Sequence, residues 1–114
     1  MRKKGVAILG STGSIGCQAL EVIEEQKDLF CVEVLAANQN ASLLVRQAKR
    51  FLPNAVVIVD KTKYVFVNEA LKGLNIKVYA GASSLEDVVD VESVDLVLTA
   101  LVGYSGLKPT LKAI

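Results

Sequence analysis

"VAILGSTGSIG", Val6 to Gly16, sets three glycines three residues apart directly behind a short apolar run. Glycine costs a chain backbone entropy, so a regular series of it is expected where the backbone must take a positive φ or let another atom come close. Val6–Leu9 is apolar at every position, the pattern of a strand buried on both faces. Behind the glycines, Ile15, Ala19, Val22 and Ile23 recur at helical spacing in a segment ending near Gln26. Strand, glycine turn and helix in that order open a βαβ unit.

The alternation continues along the chain. "FCVEVLAA", Phe30–Ala37, reads as a second strand, and Leu44, Ala48, Phe51 and Leu52 form the apolar stripe of a helix stopped by Pro53. "AVVIV", Ala55–Val59, is a third strand; a helix from about Lys63 to Leu71 ends at Gly73; Ile76–Ala80 is a short fourth strand. Leu85–Val89 makes one or two helical turns, and Val94–Leu101 is a fifth strand. A last helix is expected from about Leu107, with Pro109 in its first turn, so short at Ile114 that the chain reads as a fragment of something longer. The fold class expected is α/β, a Rossmann-like doubly wound, mainly parallel sheet with helices on both faces.

Composition narrows the partners. Thirteen Lys and Arg against 12 Asp and Glu leave a net charge of +1, without the basic excess that neutralises nucleic-acid phosphates. No nucleic-acid partner is expected. The apolar run Val6–Leu9 is too short for a signal h-region or a membrane span, so the expectation is a cytoplasmic location and no membrane partner. Cys17 and Cys31 show no CxxC spacing, and the chain has no histidine, so both read as ordinary buried or half-buried thiols and no metal site is expected. The acidic run Glu86, Asp87, Asp90, Glu92 and Asp95, and the basic Arg46, Lys49 and Arg50, read as solvated faces.

In a doubly wound sheet the first strand-to-helix turn faces the ligand crevice. Gly10 would turn the chain sharply out of the strand, Gly13 would let backbone approach a pyrophosphate, and Gly16 would let the helix pack close to the sheet. Ser11, Thr12 and Ser14 add hydroxyl donors, or serve as N-caps. The spacing is GxxGxxG, and no GK[ST] follows, which argues against a P-loop hydrolase. The plainer alternative is a turn glycine-rich only for its βα geometry. At the end of the second strand, "LAANQNA" has no Asp or Glu to bind a ribose 2′-hydroxyl, whereas the amides of Asn38, Gln39 and Asn40 can donate to a 2′-phosphate. That tilts the reading toward NADP, against the alternative of an Asn-rich turn that only caps the next helix. "TALVGYSG", Thr99–Gly106, lies where a nicotinamide would reach, or is a plain strand-to-helix loop; no acid or base accompanies Tyr104 and Ser105.

With "ILGSTGSIG" and "LTALVGYSGLKPTLKAI" together, the chain closely resembles the amino-terminal part of the 1-deoxy-D-xylulose 5-phosphate reductoisomerases, over essentially all of its length. The resemblance implies that residues 1–114 are the NADPH-binding domain of a longer enzyme whose catalytic and carboxy-terminal domains are absent. It places Thr12, Gly13, Ser14 and Ile15 at the pyrophosphate and Asn38, Gln39 and Asn40 at the adenosine 2′-phosphate, with no catalytic residue and no metal ligand in the chain. One departure is that many members carry Lys or Arg where this chain has Gln39, which leaves either a weaker preference over NADH or a cation supplied by another residue. The full-length enzyme, by the same resemblance, is a homodimer. It takes a sugar phosphate substrate and a divalent metal, Mg or Mn, and isomerises and reduces 1-deoxy-D-xylulose 5-phosphate to 2-C-methyl-D-erythritol 4-phosphate in non-mevalonate isoprenoid synthesis. Two alternatives to it are an NADP-dependent semialdehyde-type dehydrogenase domain and a dinucleotide-sensing module without chemistry.

Overall fold

The computed structural model describes residues 3–89, 94–99 and 111–113. Its sheet is built from β1 (Lys4–Leu9), β2 (Phe30–Ala37), β3 (Ala55–Ile58), β4 (Lys77–Ala80), β5 (Leu96–Thr99) and β6 (Leu111–Ala113), in the order β4-β3-β2-β1-β5-β6. Every neighbouring pair is parallel except β5 and β6. The helices α1 (Ser14–Glu25), α2 (Ala41–Phe51), α3 (Tyr64–Ala70) and α4 (Ser84–Val89) alternate with the strands, and a 3-10 turn, Lys61–Lys63, leads into α3.

The helices divide between the two faces as the strand periodicity requires. Val6 and Ile8 of β1 point into a core shared with Leu20 and Ile23 of α1, Leu44 and Ala48 of α2, and Val67 of α3. Ala7 and Leu9 point the other way, against Leu85 and Val88 of α4. The chain thus runs β1 to β4 outward along one side and crosses back with α4 to lay β5 beside β1. That reversal makes the carboxyl ends of β1 and β5 the switch point of the sheet, where open α/β folds bind ligands.

One irregularity explains a charged residue in an apolar strand. Val6 pairs with Val32, but Ala7 pairs with Val34, so Glu33 is an extra residue bulged out of the ladder. Facing parity slips there: Val32 joins one core and Val34 the other. Freed from either face, the Glu33 carboxylate accepts hydrogen bonds from Cys31 Sγ and Asn54 Nδ2, and its carbonyl accepts from the Asn54 N–H at 2.9 Å. A bond between β2 and the approach to β3 replaces the missing rung.

Two expectations are corrected. A helix from about Leu107 was expected at the end of the chain; residues 107–110 lie outside the described ones, but Leu111–Ala113 is a strand pairing antiparallel with β5. A β-strand of three residues carries too little periodicity to be told from a helical turn, and the sheet edge at β5 offers unpaired backbone groups that the segment satisfies. Asp95, read as part of a solvated acidic run, is buried: its carboxylate accepts from the Gly5 N–H at 2.8 Å, and the Asp95 N–H donates to the Gly5 carbonyl at 2.8 Å. This reciprocal pair fastens the entry of β5 to the start of β1. Asp87 is exposed as expected, and Asp90 and Glu92 lie outside the described residues.

Candidate cofactor site at the carboxyl edge of the sheet

Leu9 ends β1 and Gly10 takes φ 98, a left-handed value that a side chain would strain, so the chain turns out of the sheet at once. The Gly10 and Ser11 N–H groups both donate to the Ala36 carbonyl of β2, at 2.8 and 2.9 Å, which pins the turn to the neighbouring strand. Gly16, in the first turn of α1, faces this pinned backbone: a Cβ placed there would lie 2.2 Å from the Gly10 carbonyl oxygen and 2.6 Å from Ser11 Cα. The helix can approach only because position 16 has no side chain.

Gly13 differs. It is exposed, has an ordinary φ of −80, and a Cβ on it would meet only the Gly10 oxygen at 3.6 Å, an ordinary contact. Gly13 is the N-cap of α1 and no side chain caps that helix, so the alternative that Ser11, Thr12 or Ser14 is a plain N-cap does not hold. The N–H groups of Ser14, Ile15 and Gly16 are those that a helix leaves without intrahelical partners, and no acidic side chain stands in this first turn. Thr12 is half-buried, while Ser14 and Ile15 are exposed, Ile15 at 60%. Ser11 differs from the rest of this group: its side chain is fully buried, and its hydroxyl, expected as a donor, has no partner among the described residues.

A residue absent from the sequence reading completes the turn. Gln47, buried on α2, donates from Nε2 to the Ser11 carbonyl at 2.8 Å, and Cys17 Sγ reaches the same carbonyl at 3.6 Å. A glutamine among the apolar positions of an amphipathic helix was the available signal, since a buried amide needs a partner. Arg50, by contrast, pairs with Glu24 of α1 and lies over the Phe51 ring at 5.7 Å. Its guanidinium pKa is raised by the Glu24 hydrogen bond. It clasps α1 to α2 at the surface, with both partners largely solvated, and stands as the basic surface residue the sequence suggested.

The turn after β2 lies at the same edge of the sheet. Asn38, Gln39 and Asn40 are all exposed. Asn40 caps α2, its Oδ1 accepting from the Leu43 N–H at 3.2 Å, so the capping role weighed from sequence is real for that residue. A cap uses one oxygen and leaves the Asn40 amide hydrogens, and both groups of Gln39, facing outward. Beside them lies a shallow cavity of ≈ 300 Å³ lined by Gln39, Asn40, Ala41, Ser42, Lys63 and Phe66. A cavity of ≈ 330 Å³ lies elsewhere, by Asn54, Asn75 and Lys77 at the amino ends of β3 and β4, away from the switch point. Of the loop Thr99–Gly106, only Thr99, half-buried at the end of β5, is among the described residues.

Comparison with known proteins agrees with this architecture. A family model described as 1-deoxy-D-xylulose 5-phosphate reductoisomerase matches residues 6–114. The reductoisomerase of Bacteroides fragilis is 55% identical over 114 residues, which is 100% of this chain and 29% of that protein. That of Phocaeicola vulgatus is 55% identical over 112 residues, 98% of this chain and 29% of its own length. Among solved structures, the Zymomonas mobilis reductoisomerase in complex with NADPH superposes with a TM-score of 0.81 at 35% identity, over 88% of this chain and 26% of that one. A reductoisomerase structure in complex with magnesium superposes at 0.86 and 28% identity, over 93% of this chain and 27% of that one. The chain spans about 29% of the length of the curated relatives it matches.

Proposed function

This chain belongs to the 1-deoxy-D-xylulose 5-phosphate reductoisomerase family, and we propose that residues 1–114 form the NADPH-binding domain of such an enzyme. Gly10 and Gly16 shape the turn and Ser11 holds it, its N–H on Ala36 and its carbonyl on Gln47; Thr12, Gly13, Ser14 and Ile15 face the pyrophosphate. The uncapped N–H groups of Ser14 and Ile15, with a helix dipole unopposed by acid, suit a doubly charged diphosphate. Asn38, Gln39 and Asn40 face the adenosine 2′-phosphate, to which amides donate and which a carboxylate would repel. NADPH, when bound, supplies a hydride; the chain's part is to hold it in place and in orientation.

For the whole protein we infer the family's reaction, isomerisation and reduction of 1-deoxy-D-xylulose 5-phosphate, with a divalent metal, Mg or Mn, bound outside this chain. The catalytic residues also lie outside it, and the intact enzyme works as a cytoplasmic homodimer with no nucleic-acid partner. Among the described residues no helix is long and apolar enough to cross a membrane.

The observation that carries the cofactor reading is Gly13. Gly16 and Gly10 are explained by the protein's own packing and backbone, but nothing among the described residues requires glycine at 13. A glycine with open space over its Cα, at a bare helix N-terminus, leaves room for a dinucleotide backbone to approach. Gly13→Val occupies that space with a residue that tolerates the extended backbone there. The expected result is an unchanged circular dichroism spectrum and a loss of NADPH affinity of at least about tenfold in calorimetric titration. Unchanged affinity in the folded variant would overturn the assignment.

A further inference from the structure

The turn that faces the 2′-phosphate in this reading carries three amides and no charge. The fold brings a cation to it from a different element. The Asp60 N–H donates to the Asn38 carbonyl at 2.9 Å, which fastens the end of β3 alongside the turn after β2. Asp60 then caps a single 3-10 turn, its Oδ1 accepting from Thr62 N at 3.0 Å and Thr62 Oγ1 at 2.6 Å, and the Lys63 N–H closes the turn on the Asp60 carbonyl at 3.0 Å.

Two lysines leave this turn in different directions. Lys61 lies along the sheet edge, its Cε 2.7 Å from where a Cβ on Gly81 would be. Lys63 instead lines the ≈ 300 Å³ cavity with Gln39, Asn40, Ser42 and Phe66. It makes no ion pair among the described residues, and no carboxylate lines the cavity. Asp60, which caps the turn, is already held by Thr62, whose hydroxyl and then N–H keep its carboxyl below the ordinary value, with a smaller contribution from Lys63. Phe66, 51% exposed, gives the cavity an aromatic wall. An unpaired ammonium, amide and hydroxyl donors, and a ring face, without an acid, are the groups that recognise a phosphate carried by a purine nucleoside.

We propose that Lys63 is the specificity-determining cation of this domain, reading the 2′-phosphate of NADPH across the cavity from Gln39 and Asn40, with Phe66 as the wall for the adenine. The inference rests on the NADPH reading above. It assigns the charge to the turn before α3, not to the turn after β2.

The test is calorimetric titration of the full 114-residue chain with NADPH and with NADH, for the wild type, Lys63→Ala, Lys63→Arg and Lys61→Ala. Lys63→Ala is expected to weaken NADPH about tenfold or more while leaving NADH within twofold, because only the former carries the phosphate. Lys63→Arg restores most of the loss, and Lys61→Ala changes neither. The NADPH advantage of the wild type also narrows with added salt, and that of Lys63→Ala narrows less. Equal weakening of both dinucleotides by Lys63→Ala, or no weakening, removes Lys63 from the phosphate and leaves the NADPH reading standing. A folded wild type that binds neither dinucleotide overturns both.

Discussion

The turn after β1 and the turn after β2 leave the same edge of the sheet side by side, yet they are built on opposite principles. The first is backbone: Gly10 and Ser11 donate to Ala36, Gly16 lets the helix close on them, and Gln47 holds the Ser11 carbonyl from α2. The second is side chains: Asn38, Gln39 and Asn40 stand exposed, only Asn40 is tied by a cap, and Lys63 is borrowed from the next βα connection. A preorganised backbone suits the diphosphate common to all dinucleotides, because its shape never varies. Side chains suit the 2′-position, where one phosphate separates two cofactors and a few substitutions can move the preference.

The largest effect breaks the first turn outright. Gly16→Ala would put a methyl 2.2 Å from the Gly10 oxygen, and the neighbours are backbone already fixed to β2, so they cannot give way. We expect a loss of about 3 kcal/mol or more in denaturant unfolding. Gly13→Ala, with its nearest contact at 3.6 Å, should cost about 1 kcal/mol or less, the ordinary penalty for alanine at an N-cap. Comparable losses at the two positions would mean that both glycines serve the fold, and the ligand argument built on Gly13 would fail.

A smaller effect sharpens the comparison. Gln47→Leu removes the donor to the Ser11 carbonyl but also removes Gln47 Oε1, a buried oxygen without a partner among the described residues. The two changes oppose each other, so stability should fall by only about 1 kcal/mol. Affinity is the informative readout. Because Gln47 acts through the turn proposed to face the diphosphate, NADPH and NADH should weaken together, in contrast to Lys63→Ala, where they should separate. A selective loss of NADPH in Gln47→Leu would place the 2′-phosphate against the first turn and reverse the two roles.

The sheet itself was legible because parallel strands buried on both faces leave nearly continuous apolar runs: Phe30–Ala37, broken only by the bulged Glu33, is bounded in the structure as the sequence reads it, and the Gly10 and Gly16 roles follow from where glycine must stand. What could not be read is what depends on nonlocal partners. Asp95 looks solvated in an acidic run and becomes buried because the Gly5 N–H stands opposite it across the sheet. Ser11 looks like a surface donor and is covered by packing around the turn. Leu111–Ala113 becomes a strand because β5 offers an edge, a fact about another element. Lys63 carries no local mark at all; the β2–β3 pairing and the Val59 to Ala37 and Asp60 to Asn38 bonds bring it to the second turn.

The smallest effect tests whether the second turn is as adjustable as its construction implies. Gln39→Lys adds a cation on an exposed side chain at the edge of the cavity that Lys63 already lines. A second cation meets a phosphate that Lys63 already partly neutralises, so the gain should be only about 0.2–1 kcal/mol, tightening NADPH by no more than about fivefold and NADH hardly at all. Two cations that address one phosphate are not independent, since each reduces the charge left for the other and they repel across the cavity when it is empty. The gain from Gln39→Lys should therefore be larger in a Lys63→Ala background, where it partly replaces the lost charge. Equal gains in both backgrounds would show that the two positions do not share a phosphate, and the second turn would then read the cofactor without help from the turn before α3.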